Sequence, residues 1–181
     1  SQKFSENALD ATDRFSLFVT EDELAGVPED VVHTARAAAE KDGQSGYKLT
    51  LKMPCYLPVM QFAVSSDLRQ KLYRAYVTRA SDQADAQFAE LDNSTLIQEI
   101  LQLRQEEAQL LGFQNFAEVS VATKMADSPA KVIAFLRDLS QRARPFAAND
   151  LQDMRQFAAE HLNLQDPQAW DWSFIGEKLK E

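Results

Sequence analysis

Turns are scarce in this chain: five glycines and six prolines are spread over 181 residues. A many-stranded sheet needs a turn every few residues and long helices do not, so this scarcity restricts the chain to helices joined by short connections. Apolar spacing of three and four residues agrees. It predicts a first helix over about 5–19 and a second running from Pro28, which suits a first helical position, to a stop at Gly43. A third spans about 67–88, with Leu68, Leu72, Tyr73, Ala75 and Tyr76 on its buried stripe. The fourth starts at "DNST", buries Leu96, Ile97, Ile100, Leu101, Leu103, Ala108 and Leu111, and ends at Gly112.

A short helix around "NFAEVSVATKMA" leads to "DSPAKVIAFLRDLSQRAR", where Ser128 caps, Pro129 takes the first turn and Val132, Ile133, Phe135, Leu136 and Leu139 face inward. Pro145 should kink or split the helical pattern there, and "NDLQDMRQFAAEHL" supplies the next helix. The expected fold class is mainly α, a multi-helix bundle of about seven helices with a minor β element.

That β element is "GYKLTLKM". Tyr47, Leu49, Leu51 and Met53 alternate with Lys48, Thr50 and Lys52, the period of two of a half-buried strand over 47–53. Such a strand needs a partner. Either its cover lies outside these 181 residues, or it pairs with the β-prone "LFVT" at 17–20.

A net charge of −9 opposes binding to phosphate backbones and anionic membrane surfaces, so neither nucleic acid nor membrane is an expected partner. No run reaches the ~20 apolar residues of a membrane span, and the start has no basic-then-apolar leader. Cys55 is alone, so no intrachain disulfide forms and a reducing, cytoplasmic compartment is expected. Helix-like sequence runs to both ends without a finishing cap, which points to a segment excised from a longer protein. As one helical segment over 1–181, it could divide into a small lobe, 1–60, and a helical lobe, 61–181. Excision would expose apolar surface and favour self-association.

No complete reactive constellation emerges from spacing. His33 and His161 lack a second histidine or a cysteine at the spacing one helix needs to hold a metal. The acidic runs Glu21–Glu23 and Glu106–Glu107 place neighbouring carboxylates about 100° apart, as on a solvated face. There is no G-x-S-x-G elbow, and Gly43 and Gly46 do not form a phosphate loop. No catalytic or metal-binding residue is therefore assigned in this chain.

The order of motifs is more informative. "FSENALDAT", "LAGVP", "YKLTL", "PCYLPVM", "AYVTRAS", "LLGFQNFAEVSVATKMA", "FLRDLSQRARP" and "WDWSF" resemble, in this order and over practically the whole chain, the oligopeptidase A branch of the thimet oligopeptidase family. The resemblance implies a cytoplasmic zinc metallopeptidase that cleaves short peptides in a deep channel. Its metal sits on a His-Glu-x-x-His helix and a later glutamate. That motif is not in this sequence, so the resemblance places zinc in the longer parent and none in this chain. It makes this segment a non-catalytic channel wall beside a catalytic domain outside it. Tyr56, Tyr76 and Arg79 are then the substrate-channel candidates. After Trp170-Asp171 the family often carries a Tyr-Tyr pair where this chain has Phe174 and Ile175. The alternative reading is a self-standing helical protein-interaction module without enzymatic activity.

Overall fold

The computed structural model describes residues 2–180. Eight α-helices and one two-stranded sheet occur among them, in the order α1 (Gln2–Arg14), β1 (Leu17–Val19), α2 (Glu29–Lys41), β2 (Tyr47–Leu49), α3 (Met53–Phe62), α4 (Ser66–Val77), α5 (Ser94–Leu110), α6 (Phe116–Val121), α7 (Pro129–His161) and α8 (Trp172–Lys178). The protein is mainly α with minor β. Two compact units divide it, one formed by 2–93 with 154–181 and the other by 94–153.

In the first unit the strand finds its partner within the chain. β1 and β2 pair antiparallel with Leu17 opposite Leu49 and Val19 opposite Tyr47. Tyr47, Leu49 and Leu51 are buried, so the strand's apolar face is covered by this chain's own residues and not left bare. The expectation of a first helix over 5–19 is corrected accordingly: α1 stops at Arg14 because Leu17, Phe18 and Val19 gain ladder hydrogen bonds and packing as an extended segment. The strand also ends at Leu49, short of 53. Pro54 sits in the first turn of α3, where a missing N–H costs nothing, and so the proline-punctuated passage is helical.

Gly46 and Gly26 let the chain turn around this sheet. A Cβ on Gly46 would lie 2.7 Å from the Val19 carbonyl oxygen, and one on Gly26 would lie 2.4 Å from that of Phe62, with φ at +89° and +88° respectively. Both positions combine a left-handed backbone with no room for a side chain. Gly26→Ala should therefore lower stability by about 2 kcal/mol or more, read from urea unfolding, and a change under about 0.5 kcal/mol would contradict the close approach.

The core of this unit gathers Leu24, Leu49, Leu51, Val59, Met60, Leu68 and Leu72 from successive segments of the chain. α4 is capped by Ser65, whose Oγ accepts from Leu68 N at 3.2 Å. It ends at Val77 and does not run on to Phe88 as expected. Ser81 Oγ donates to the Thr78 carbonyl and accepts from Gln83 N, and Ala80 takes φ +51°, so local side-chain bonds replace the helical ladder. A 3₁₀ segment, Ala86–Leu91, comes next and lies against α1. Asn7 Nδ2 donates to Asn93 Oδ1, and Asn93 Nδ2 to the Phe4 carbonyl, in a buried clasp that ties α1 to the chain just after the 3₁₀ segment.

The unit of 94–153 has the expected caps but not the expected burial. Ser128 accepts from Lys131 N, Asn115 from Glu118 N, and Gly112 closes α5 at φ +80°. α7 continues through Pro145 without splitting. The neighbouring residues are exposed there, so the carbonyl that proline cannot bond is left facing solvent and not a core. Ala108 is the one fully buried residue among those described in this unit. Ile97, Leu101, Leu103, Leu111, Ile133, Phe135, Leu136 and Leu139, all expected inside, are exposed. Their spacing is that of a buried stripe, but nothing among the described residues is packed over it.

Candidate functional site

Three side chains singled out in the sequence come together in the first unit. Tyr56 from α3 and Tyr76 from α4 stack with ring centroids 4.3 Å apart and planes 17° from parallel. The Arg79 guanidinium lies 3.6 Å from the Tyr76 centroid, so Tyr76 is held between a ring and a cation. Arg79 is fixed in turn: its Nε donates to the Tyr76 carbonyl and its Nη1 to Thr12 Oγ1, both at 2.8 Å. Tyr56 is buried, while Tyr76 and Arg79 are half-buried.

Burial, reinforced by the neighbouring phenols Tyr76 and Tyr73, pushes the Tyr56 hydroxyl up from 10.0 to about 12, and Arg79 opposes this only in part. The neutral phenol is thus the form the fold prefers. Its contribution to stability is intact below about pH 10 and is lost as pH climbs towards about 12, because the unfolded chain releases that proton first. Alkaline titration followed by phenolate absorbance should show one late-titrating tyrosine that disappears in Tyr56→Phe. Four tyrosines titrating together would contradict the burial.

Beside this stack a groove of about 250 Å³ runs between α1, β1 and α4. Phe15, Leu51, Ala75 and Phe88 form its apolar floor, and Lys71, Arg74 and Arg79 stand on its rim with Asp85. A second hollow of about 380 Å³ includes Lys48, Lys52 and Cys55. There the half-buried Cys55 sulfur accepts from Thr50 N at 3.4 Å and is tied to the loop after β2.

The sequence reading missed a buried polar cluster that ties the start of α4 to the residues before α8. Arg69 Nη2 meets Asp171 Oδ1 at 2.6 Å with both side chains almost wholly buried. Arg69 Nη1 donates to the carbonyls of Ala63 and Val64, and its guanidinium lies 4.2 Å from the Phe174 ring centroid. Asp171 also accepts from Ser66 Oγ at 3.0 Å and Gln168 N at 2.9 Å, and Trp170 Nε1 donates to Ser66 Oγ. The Trp-Asp motif flagged one half of this pair. No periodicity marks Arg69 as its partner 102 residues away.

His33 and His161 are exposed, the latter tilted against Phe157 at 4.9 Å. No group of three or more His, Cys, Asp or Glu side chains that could hold a metal ion is brought together among the described residues. The described donors therefore do not fit a zinc ion. Likewise, no helix among the described residues is long and apolar enough to cross a membrane.

Comparison with known proteins supplies the class. The model of peptidase family M3 matches residues 59–181, and the chain belongs to that family. It is 47% identical over 180 residues to oligopeptidase A of Salmonella typhimurium, covering 99% of this chain and 26% of that protein. Oligopeptidase A of Escherichia coli gives the same identity and coverage. A probable cytosolic oligopeptidase A of Arabidopsis thaliana is 39% identical over 191 residues, covering 100% of this chain and 26% of the relative. The chain thus spans about a quarter of the length of the relatives it matches.

Proposed function

We propose that this chain is a non-catalytic helical section of a cytoplasmic, zinc-dependent oligopeptidase that hydrolyses short peptides, and that it forms part of the wall along which those peptides lie. The observation that carries the proposal is the 47% identity to oligopeptidase A across 99% of the chain. Identity at that level, extending over 180 residues, supports a role for the segment like that of the matching part of the relative.

In this reading the catalytic zinc and its ligands belong to the part of the enzyme outside these residues. A wall of helices admits extended peptides and excludes folded proteins by size. Arg79 offers a cation to a passing peptide, with Tyr76, itself stacked on Tyr56, holding the guanidinium in place from behind.

The test is a paired assay of zinc content and cleavage of a quenched fluorescent peptide, run on this chain and on the product of the complete reading frame that encodes it. Activity with one bound zinc only in the longer product is expected. Zinc-dependent cleavage by the 181-residue chain alone would overturn the non-catalytic assignment, and an inactive longer product would overturn the peptidase one.

A further inference from the structure

The groove beside the tyrosine stack carries a charge opposite to that of the chain around it. Three cations, Lys71, Arg74 and Arg79, share its rim with one carboxylate, Asp85, in a protein whose net charge is −9. Arg79 is locked by Thr12 and the Tyr76 carbonyl, so its position is fixed before any ligand arrives. Lys71 is only loosely engaged, 3.7 Å from the half-buried Glu23. The Arg74 guanidinium has no hydrogen-bond or ion-pair partner among the described residues. Below these cations lies an apolar floor of Phe15, Leu51 and Phe88.

We propose that this groove binds the C-terminal carboxylate of a short peptide whose last side chain is apolar. The volume, about 250 Å³, is below the range of pockets for drug-sized ligands and suits one terminal residue. A carboxylate accepts charge-assisted hydrogen bonds from the planar donors of arginine, and the terminal side chain leaves water against the aromatic floor. An internal peptide residue has no free carboxylate and gains only the second contribution. The groove therefore selects chain ends over chain middles. This rests on the peptide reading above for the identity of the ligand, although the binding itself needs no catalysis.

The test is a titration of this chain with N-acetyl-phenylalanine and, separately, with its carboxamide, followed by amide correlation spectra. The acid should shift the amides of Ala75, Thr78 and Phe88, and the carboxamide should bind at least about tenfold more weakly. Arg74→Gln with Lys71→Gln should shrink the difference between the two ligands, to which only Arg79 then still contributes. Both side chains are exposed, so an unchanged melting temperature verifies that the variant folds. Equal binding of acid and amide, shifts that map elsewhere, or no shift at millimolar ligand would each overturn the proposal. None of these outcomes touches the peptidase assignment, which the paired cleavage assay decides by itself.

Discussion

Asp171→Ala should lower the unfolding free energy by about 3–5 kcal/mol, the cost of leaving a buried guanidinium without its counter-charge. Arg69 is 2% and Asp171 1% exposed, so solvent cannot replace the lost carboxylate. Three bonds to Asp171 vanish at once, from Arg69, Ser66 and the backbone of Gln168. Only the two carbonyls of residues 63 and 64 then remain to hold the cation. Removing both charges together is the informative control. Arg69→Met with Asp171→Leu should recover much of the loss, since an apolar pair of similar volume carries no desolvation cost. Urea unfolding reads both variants, and little dependence on added salt is expected because the pair is shielded from ions. A loss below about 1 kcal/mol for Asp171→Ala would mean that the pair contributes little to the fold. The same pair explains the departure at 174–175: Phe174 lies against the guanidinium and Ile175 is fully buried, so these positions pack the end of the chain.

The second large effect concerns association. Phe135 is 64%, Phe146 71% and Leu110 87% exposed, alongside Leu101, Leu136 and Leu139 at half or more. The apolar surface thus lies chiefly along α5 and α7, in addition to Phe4, Leu9 and Leu179 near the two ends. Light scattering should show dimers or larger species at high concentration. Burying one leucine or phenylalanine at an interface yields about 1.5–3 kcal/mol, so Phe135→Glu with Leu139→Glu should weaken association by about a hundredfold or more. Both positions are on an exposed helical face and the variant should fold as before. A strict monomer at high concentration would contradict the expectation.

Element by element, the sequence was most legible where the determinants are local. Pro28 with Glu29, Ser128 with Pro129 and Gly112 mark helix ends because capping depends on the few residues beside the end. The β1 segment was readable only as one of two alternatives, since three β-prone residues after a helix do not say whether a later strand will recruit them. Of the candidate site, Tyr56, Tyr76 and Arg79 were named as channel candidates, without any indication that they touch one another. Their stacking comes from the packing of α3 against α4, and the groove beside them lies where Arg79, just after α4, reaches Thr12 of α1. Arg69 went unnoticed because a charged residue on a helix reads as a solvated one until its partner is seen.

Local spacing and composition were enough for the mainly helical class, the helix caps, the family resemblance and the apolar stripes. Which of those stripes are covered was a matter of tertiary contacts. The stripes of α3 and α4 meet the sheet and each other, whereas those of α5 and α7 stay exposed among the described residues. Periodicity records that a face is apolar, but burial also needs a second surface in reach, and which surface that is depends on contacts distant in sequence.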